Sequence, residues 1–289
     1  MADTAGQALI RGIDVDKISK DYLDESLVFK NLVTNMTTSS REIRWYQKTS
    51  GFLTATTPEA IGAVAEGALP FVLEQSWTRN TSYVKKYFLE SPTITMEDES
   101  DNDVQILLKN SQDVAQAVAY EVDGDIWDVL TESQSPVNIN SVTATAAWDA
   151  SSGQDPFEDI AEAKQKIREQ TKRRLVDGSL LVSAKGEKDL MVWLVSNKGV
   201  NFNQVAGAVL ENGVLTTVAG LNVVVSENVT ADYAAVGDLK QACEYREFMP
   251  FTTRIIEEVG IGKKIRSWHH GIALLVRPKF MALISNTEA

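Results

Sequence analysis

The most regular pattern of apolar positions lies in "EDESDNDVQILLKNSQDVAQAVAYEVDGDIWDVLTE". There Val104, Leu107, Leu108, Ala115, Val118, Val122, Ile126 and Val129 recur at three- and four-residue spacings. That period puts one apolar stripe on a long helix, from about 102 to 131. At 1.5 Å per residue it spans roughly 45 Å, more than an average core needs, so it reads as a girder. Ser100 with Asp103 has the form of a capping box, and the acidic cluster before it complements the helix dipole. Gly124 is expected to weaken or bend it.

A second amphipathic helix is expected over "DPFEDIAEAKQKIREQTKRR", with acids at its start and bases at its end. Before the girder the pattern is weaker. The first forty residues hold amphipathic fragments such as "SLVFKNLV", consistent with an arm carrying a short helix. The stretch from about 45 to 96 has β-favouring runs, "FVLEQSW" and "TSYVKKYFLE", between breaks marked by Gly and Pro. It is too poor in apolar residues for a domain, and a long two-stranded excursion is marginal alone in water. Its aromatics, Phe52, Phe71, Trp77, Tyr83 and Tyr87, argue against disorder, so it is expected to rest on another chain.

Residues 133 to 154 read as a strand segment and a loop. From about 178 to 240 the period changes to that of a mixed α/β block able to fold as one unit. In it "SLLVSA" is a strand, "KDLMVWLVS" a helix or strand, "AVLENGVLTTVAG" a hairpin turning at Asn212-Gly213, and "LNVVVSE" and "YAAVGDL" short buried strands. The end of the chain, "EFMPFTTRIIEEVGIGKKIRSWHHGIALLVRPKFMALIS", reads as about three strands. Pro278 cannot donate to a ladder and should mark an edge or a bulge.

Composition narrows the class. With 289 residues and 44% hydrophobic content, a sizeable core can be buried. No window is long and apolar enough to span a bilayer, so no membrane partner is expected. The opening "MADTAGQALIRGIDVDK" has acids where a secretory signal carries bases, so use in a cytoplasm is expected. The net charge of −12 argues against a general nucleic-acid-binding surface. The one strongly basic stretch, Lys164, Lys166, Arg168, Lys172, Arg173 and Arg174, reads first as a solvated helix face and second as a nucleic-acid contact.

The chemical candidates are few. Cys243 is the only cysteine, which excludes an intrachain disulfide and a cysteine zinc cage. His269 and His270 are the only histidines. Successive strand residues point to opposite faces, so the pair cannot hold one metal. "VGIGKK" lacks the spacing and the Ser or Thr of a phosphate loop, and the acids from Glu97 to Asp103 lack the register of an EF-hand. No catalytic residue, cofactor site or metal site is assigned. A cytoplasmic enzyme using these acids or histidines stays as the alternative of another class, without a supporting motif.

In their order, these pieces resemble the major capsid protein of tailed double-stranded-DNA viruses, the Hong Kong 97-like fold that bacterial encapsulin shells share. "GVLTTVAGLNVVVSENVTADYAAVGD" resembles the family's axial-domain run, with Gly220, Val223, Val224, Ser226, Gly237 and Asp238 at matching places. "SWHHGIALLVRPKFMALI" resembles its closing strands, the match carried by Arg277 and Pro278. The resemblance implies an α+β fold in five parts. Residues 1–44 form an N-terminal arm, and 45–96 an extended hairpin loop overlapping a neighbouring subunit. Residues 97–177 form a peripheral domain with the long helix as its spine, 178–240 an inserted axial domain, and 241–289 the return to the peripheral domain.

It also implies self-assembly into pentamers and hexamers of an icosahedral shell around double-stranded DNA, which the shell contacts non-specifically, in a virion built in the host cytoplasm. An encapsulin-like compartment holding protein cargo is the close alternative. Phe71, Trp77 and Arg79 on the extended loop are the expected inter-subunit anchors, since aromatic and Arg side chains dominate interface energetics. Separate scaffolding, portal or decoration proteins are further partners, and no large fused scaffolding segment is expected before the arm. Some relatives join subunits through a lysine on the extended loop. Here no lysine lies between Thr49 and Val84, so no such bond is expected at the loop tip, with Lys85 and Lys86 at its base.

Overall fold

A computed structural model describes residues 12–49, 63, 65–69, 77–97, 104–150, 152–175, 177–198 and 215–288. Two hydrophobic cores organise them: one lies between the first sheet and one face of the second, taking Leu181, Ala235 and Leu283 from the latter, and the other lies on the second sheet's opposite face.

The first sheet takes β1 (Thr34–Thr37), β11 (Cys243–Glu258), β12 (Gly262–Leu275) and β4 (Lys85–Glu90) in that order, with β5 (Ile94–Thr95) also on β12. Helices α1 (Gly12–Ser26) and α2 (Val104–Leu130) pack on it. The girder expected over about 102–131 is thus observed as α2. Its buried side chains include Ala115, Val118, Val122 and Ile126 from the expected stripe, and also Trp127 and Leu130. Gly124 does not interrupt α2. A Cβ there would make only ordinary van der Waals contact with Asn228 Oδ1, at 3.5 Å, in the loop after β9.

The arm helix lies earlier than "SLVFKNLV": α1 ends at Ser26, and residues 28–33 are bends and turns. Val15, Ser19 and Leu23, one turn apart, are buried, with Ser19 Oγ donating to the Val15 carbonyl at 2.7 Å. Beyond the helix the buried Asp123 carboxylate accepts the backbone N–H groups of Val28, Phe29 and Lys30 at 2.6, 3.1 and 3.0 Å. These donors would otherwise be orphaned in the interior.

The second sheet runs β6 (Asn140–Thr143), β13 (Met281–Ser285), β10 (Tyr233–Gly237), β7 (Ser179–Val182), β9 (Leu221–Val225) and β8 (Thr217–Val218). Helices α3 (Pro156–Thr171) and α4 (Ala184–Lys198) contribute Ile160, Ala163, Ile167, Leu190, Trp193 and Leu194 to its core. "KDLMVWLVS" therefore lies in a helix. The block from 178 to 240 does not build this sheet alone, because β13 joins β10 from outside it and β6 in turn joins β13. The shared ladder is the physical reason: β13 satisfies an edge that β10 would otherwise expose.

The described hairpin of this sheet turns at Ala219 and Gly220, with φ of 50° and 75°, between β8 and β9. Two positive φ values in a two-residue turn suit the right-handed strand twist, and glycine adopts them without strain. The turn expected at Asn212-Gly213 lies outside the described residues, as does most of "FVLEQSW".

Pro278 sits at neither an edge nor a bulge. It opens a 3-10 turn, Pro278–Phe280, between β12 and β13, where its missing N–H costs no ladder bond. The strand irregularity belongs to β11, whose register with β12 shifts between Glu247 and Met249 and again between Met249 and Thr252, around Pro250.

Candidate assembly surface

A third sheet leaves the body as a two-stranded ribbon, β2 (Glu42–Gln47) against β3 (Thr78–Tyr83). Strand alternation divides its side chains. Ile43 and Trp45 face inward, joining Ile272, Leu274, Val84 and Val276 in a small core, and the Trp45 indole N–H donates to Ser82 Oγ at 2.9 Å. A cleft of about 360 Å³ opens beside this small core, lined by Trp45, Asn80, Asp125 and Leu274 among others.

Arg44, Tyr46, Arg79 and Tyr83 face outward and are exposed, with Tyr46 directly opposite Arg79. Tyr46 is 56% and Tyr83 68% exposed, large values for rings on a folded strand. Trp77, 44% exposed, precedes β3, and the Lys48 ammonium lies 5.9 Å from its ring centroid. The structure thus brings Arg79 and Trp77 onto one ribbon, whereas Phe71 lies outside the described residues. Sequence reasoning missed Tyr46; its signal was the alternation of "EIRWYQ", which turns Tyr46 out as Ile43 and Trp45 turn in.

The residues that carried the family resemblance fall into two places. Gly237, Asp238, Arg277 and Pro278 meet at the junction of the two sheets. A side chain at Gly237 would run into Met281 Sδ and lie 2.7 Å from the Phe280 carbonyl oxygen. Asp238 donates its backbone N–H to that carbonyl at 3.2 Å and caps the short helix α5 (Leu239–Ala242) by accepting from Gln241 N. Arg277 N donates to the Ala242 carbonyl at 3.1 Å. Gly220 and Ser226 lie apart from them, in the turn before β9 and just after it. Ser226 Oγ accepts the Asn228 N–H at 3.3 Å and shapes the loop that reaches α2. From this loop Asn228 Nδ2 donates to the Tyr120 carbonyl at 3.2 Å, and Thr230 Oγ1 accepts the Trp127 indole N–H at 3.0 Å. These two bonds tie the loop after β9 to the long helix.

The titratable groups are arranged for structure. His269 and His270 lie on β12 and face opposite ways, as strand geometry requires. His269 is buried, stacked beside Tyr245 and Tyr87, with Nε2 2.8 Å from the Tyr245 hydroxyl. Burial, then the nearby Lys30 and His270 charges, lowers its pKa to about 3. His270 stacks on Phe248 instead. Burial pushes the Cys243 thiol up to about 12, which leaves it un-ionised at neutral pH. Lys85 pairs with Asp125 at 2.7 Å, and the Lys86 ammonium lies over the Phe88 ring. Among the described residues no group of three His, Cys, Asp or Glu side chains is placed to hold a metal, and no helix is long and apolar enough to cross a membrane.

A family model described as phage capsid protein matches residues 93–284. Among solved structures, the capsid of Cyanophage P-SCSP1u aligns at 14% identity with a TM-score of 0.68, over 91% of this chain and 89% of that one. Mycobacterium phage Che8 aligns at 20% identity and a TM-score of 0.64, over 91% and 92%. The virus-like particle of Pyrococcus furiosus aligns at 8% identity and a TM-score of 0.60, over 94% and 98%. No curated protein sequence matches.

Proposed function

The chain belongs to the phage capsid protein family, and from that premise we propose that it is the major shell subunit of a tailed double-stranded-DNA virus. It is a structural, shell-forming protein rather than an enzyme. In the proposed mechanism, pentamers and hexamers of the chain close an icosahedral shell around the genome, assembled in the host cytoplasm. A heterologous contact that closes on itself makes a ring, and many modest contacts repeated by symmetry hold a shell that no single one could.

The observation that carries this reading is the family match, which runs from before α2 into β13 and so includes the second core and most of the first. The ribbon adds a physical reason. Two strands with exposed Tyr46, Tyr83, Arg44 and Arg79 are marginal alone in water and have the composition of an interface. In the proposal residues 1–44 are the arm, and the 45–96 loop lies over a neighbouring copy with Phe71, Trp77 and Arg79 as anchors. The α2 unit, 97–177, is peripheral and the 178–240 block meets its copies around the axes. Residues 241–289 return through β11 and β12 and lend β13 to the axial sheet. Scaffolding, portal or decoration proteins would bind the finished or growing shell.

A protein-cargo compartment, the encapsulin-like alternative that shares this fold, is the second reading. The contents of native particles decide between them. Nuclease-protected duplex DNA inside the shell is expected, and shells filled with one protein and free of DNA would replace the viral reading.

A further inference from the structure

The chain carries a net charge of −12, yet its cations are not evenly spread. Lys172, Arg173 and Arg174 leave the end of α3 together, and all three are exposed. Lys172 caps that end in the left-handed conformation, φ 54°, its N–H donating to the Arg168 carbonyl at 2.8 Å. The helix also packs against the turn at Pro278–Phe280, which brings the exposed Arg277 to the same place. Lys48 joins from just beyond the last residue of β2, its backbone N–H donating to the Val276 carbonyl at 2.9 Å.

Earlier bases of the same helix serve other ends. Lys164 Nζ donates to the Ala219 carbonyl and Lys166 Nζ to the Ser141 carbonyl, so both fasten α3 to its sheet. Among the described residues, none of Lys172, Arg173, Arg174 and Arg277 forms an ion pair with a carboxylate. The only carboxylate in residues 172–178 is Asp177. Mutual repulsion is felt inside the cluster: burial first, then Arg277 and Arg173, holds the Lys48 ammonium below its ordinary value. Burial and then Arg174 do the same to Lys164. Folding therefore gathers like charges, at an electrostatic cost, on a protein whose acids outnumber its bases.

We propose that Lys172, Arg173, Arg174 and Arg277, with Lys48 beside them, form a binding patch for the phosphate backbone of duplex DNA. Planar guanidinium groups take phosphate oxygens in pairs, and the contact needs no base sequence. The strongly acidic remainder keeps attraction local, so the genome touches the shell at one repeated spot and is repelled elsewhere. This deepens the reading of a DNA-enclosing shell, but the binding itself does not require a closed shell.

The test mixes the full-length chain with a fluorescently labelled duplex of arbitrary sequence and follows anisotropy between roughly 50 and 200 mM salt. Binding should weaken with salt, and the R173Q/R174Q/R277Q variant should bind at least ~10-fold more weakly at the low end. Its log–log salt slope should be shallower by about 0.9 for each phosphate that the variant no longer neutralises. The R173K/R174K/R277K variant, which keeps the charge, should retain most of the binding, and so controls for misfolding of the first. Equal affinity and slope in wild type and the glutamine variant would overturn the proposal. So would a glutamine variant that binds duplex normally but changes its sedimentation, which would make the patch a contact between copies. Failure of the shell reading shows differently: neither protein would assemble by light scattering, whatever its DNA affinity.

Discussion

Asp123 Oδ2 accepts the Val28 backbone N–H at 2.6 Å, joining the centre of the long helix to the elbow of the arm across 95 positions of sequence. The same carboxylate holds the next two N–H groups, so one buried side chain sets the direction in which the chain leaves α1. Asp123→Ala would strand three interior donors, each costing about 1–3 kcal/mol if it stays dry. Urea unfolding should show a loss of at least about 2 kcal/mol, and limited proteolysis should cut first between α1 and β1. An unchanged cleavage pattern would show that the arm is held by other means.

Acid should destabilise the fold through His269. The unfolded imidazole takes a proton near pH 6.5, whereas the folded one stays neutral down to about 3. Between those values the unfolded state binds more protons, so stability falls as pH falls through that window, by at most about 1.4 kcal/mol per pH unit for this group. Asp123, Asp159 and Asp189 act in the opposite sense. Burial raises each, so their contribution is lost as pH rises through the carboxylate range. Between pH 6 and 4 the unfolding midpoint should drop, and His269→Gln should flatten that slope; parallel slopes for the two proteins would exclude His269 as the cause.

Gly237 is a packing glycine. Gly237→Ala drives a methyl into Met281 Sδ and towards the Phe280 carbonyl, a backbone atom that cannot swing away. A destabilisation of about 1–3 kcal/mol is expected by denaturant titration, as for other overpacked interiors. A neutral result would mean that the turn at Pro278–Phe280 yields more easily than its contacts imply.

Trp77 separates folding from assembly. Its ring is exposed in the single chain and touches neither hydrophobic core. Trp77→Ala should therefore leave the unfolding midpoint within about 0.5 kcal/mol of wild type, while cutting the yield of assembled particles. Normal particles from this variant would remove Trp77 from the interface.

What could be read from the sequence followed local pattern. The stripe of α2 and the charge asymmetry of α3 were plain because period and dipole agree along each segment. The arm helix was hidden because Ser19 occupies its buried face, answering its hydroxyl with the Val15 carbonyl. In α4 the outward Val192 and Val195 blur the stripe made by Leu190, Trp193 and Leu194, so helix and strand looked alike. The junctions were not legible at all. Nothing near Asn228 or Thr230 in the chain announces Tyr120 or Trp127, and β13 enters a sheet begun about 140 residues earlier. The outward row of the ribbon needed its register, which alone sets Tyr46 opposite Arg79.

The central claim is that this chain builds a shell. Its most direct test is to produce the full-length protein with the genes that neighbour it, and image the product by electron microscopy alongside light scattering. Closed shells, or the rings and capsomers that precede them, are the predicted result. A uniform compact monomer even when those neighbours are present would contradict the claim.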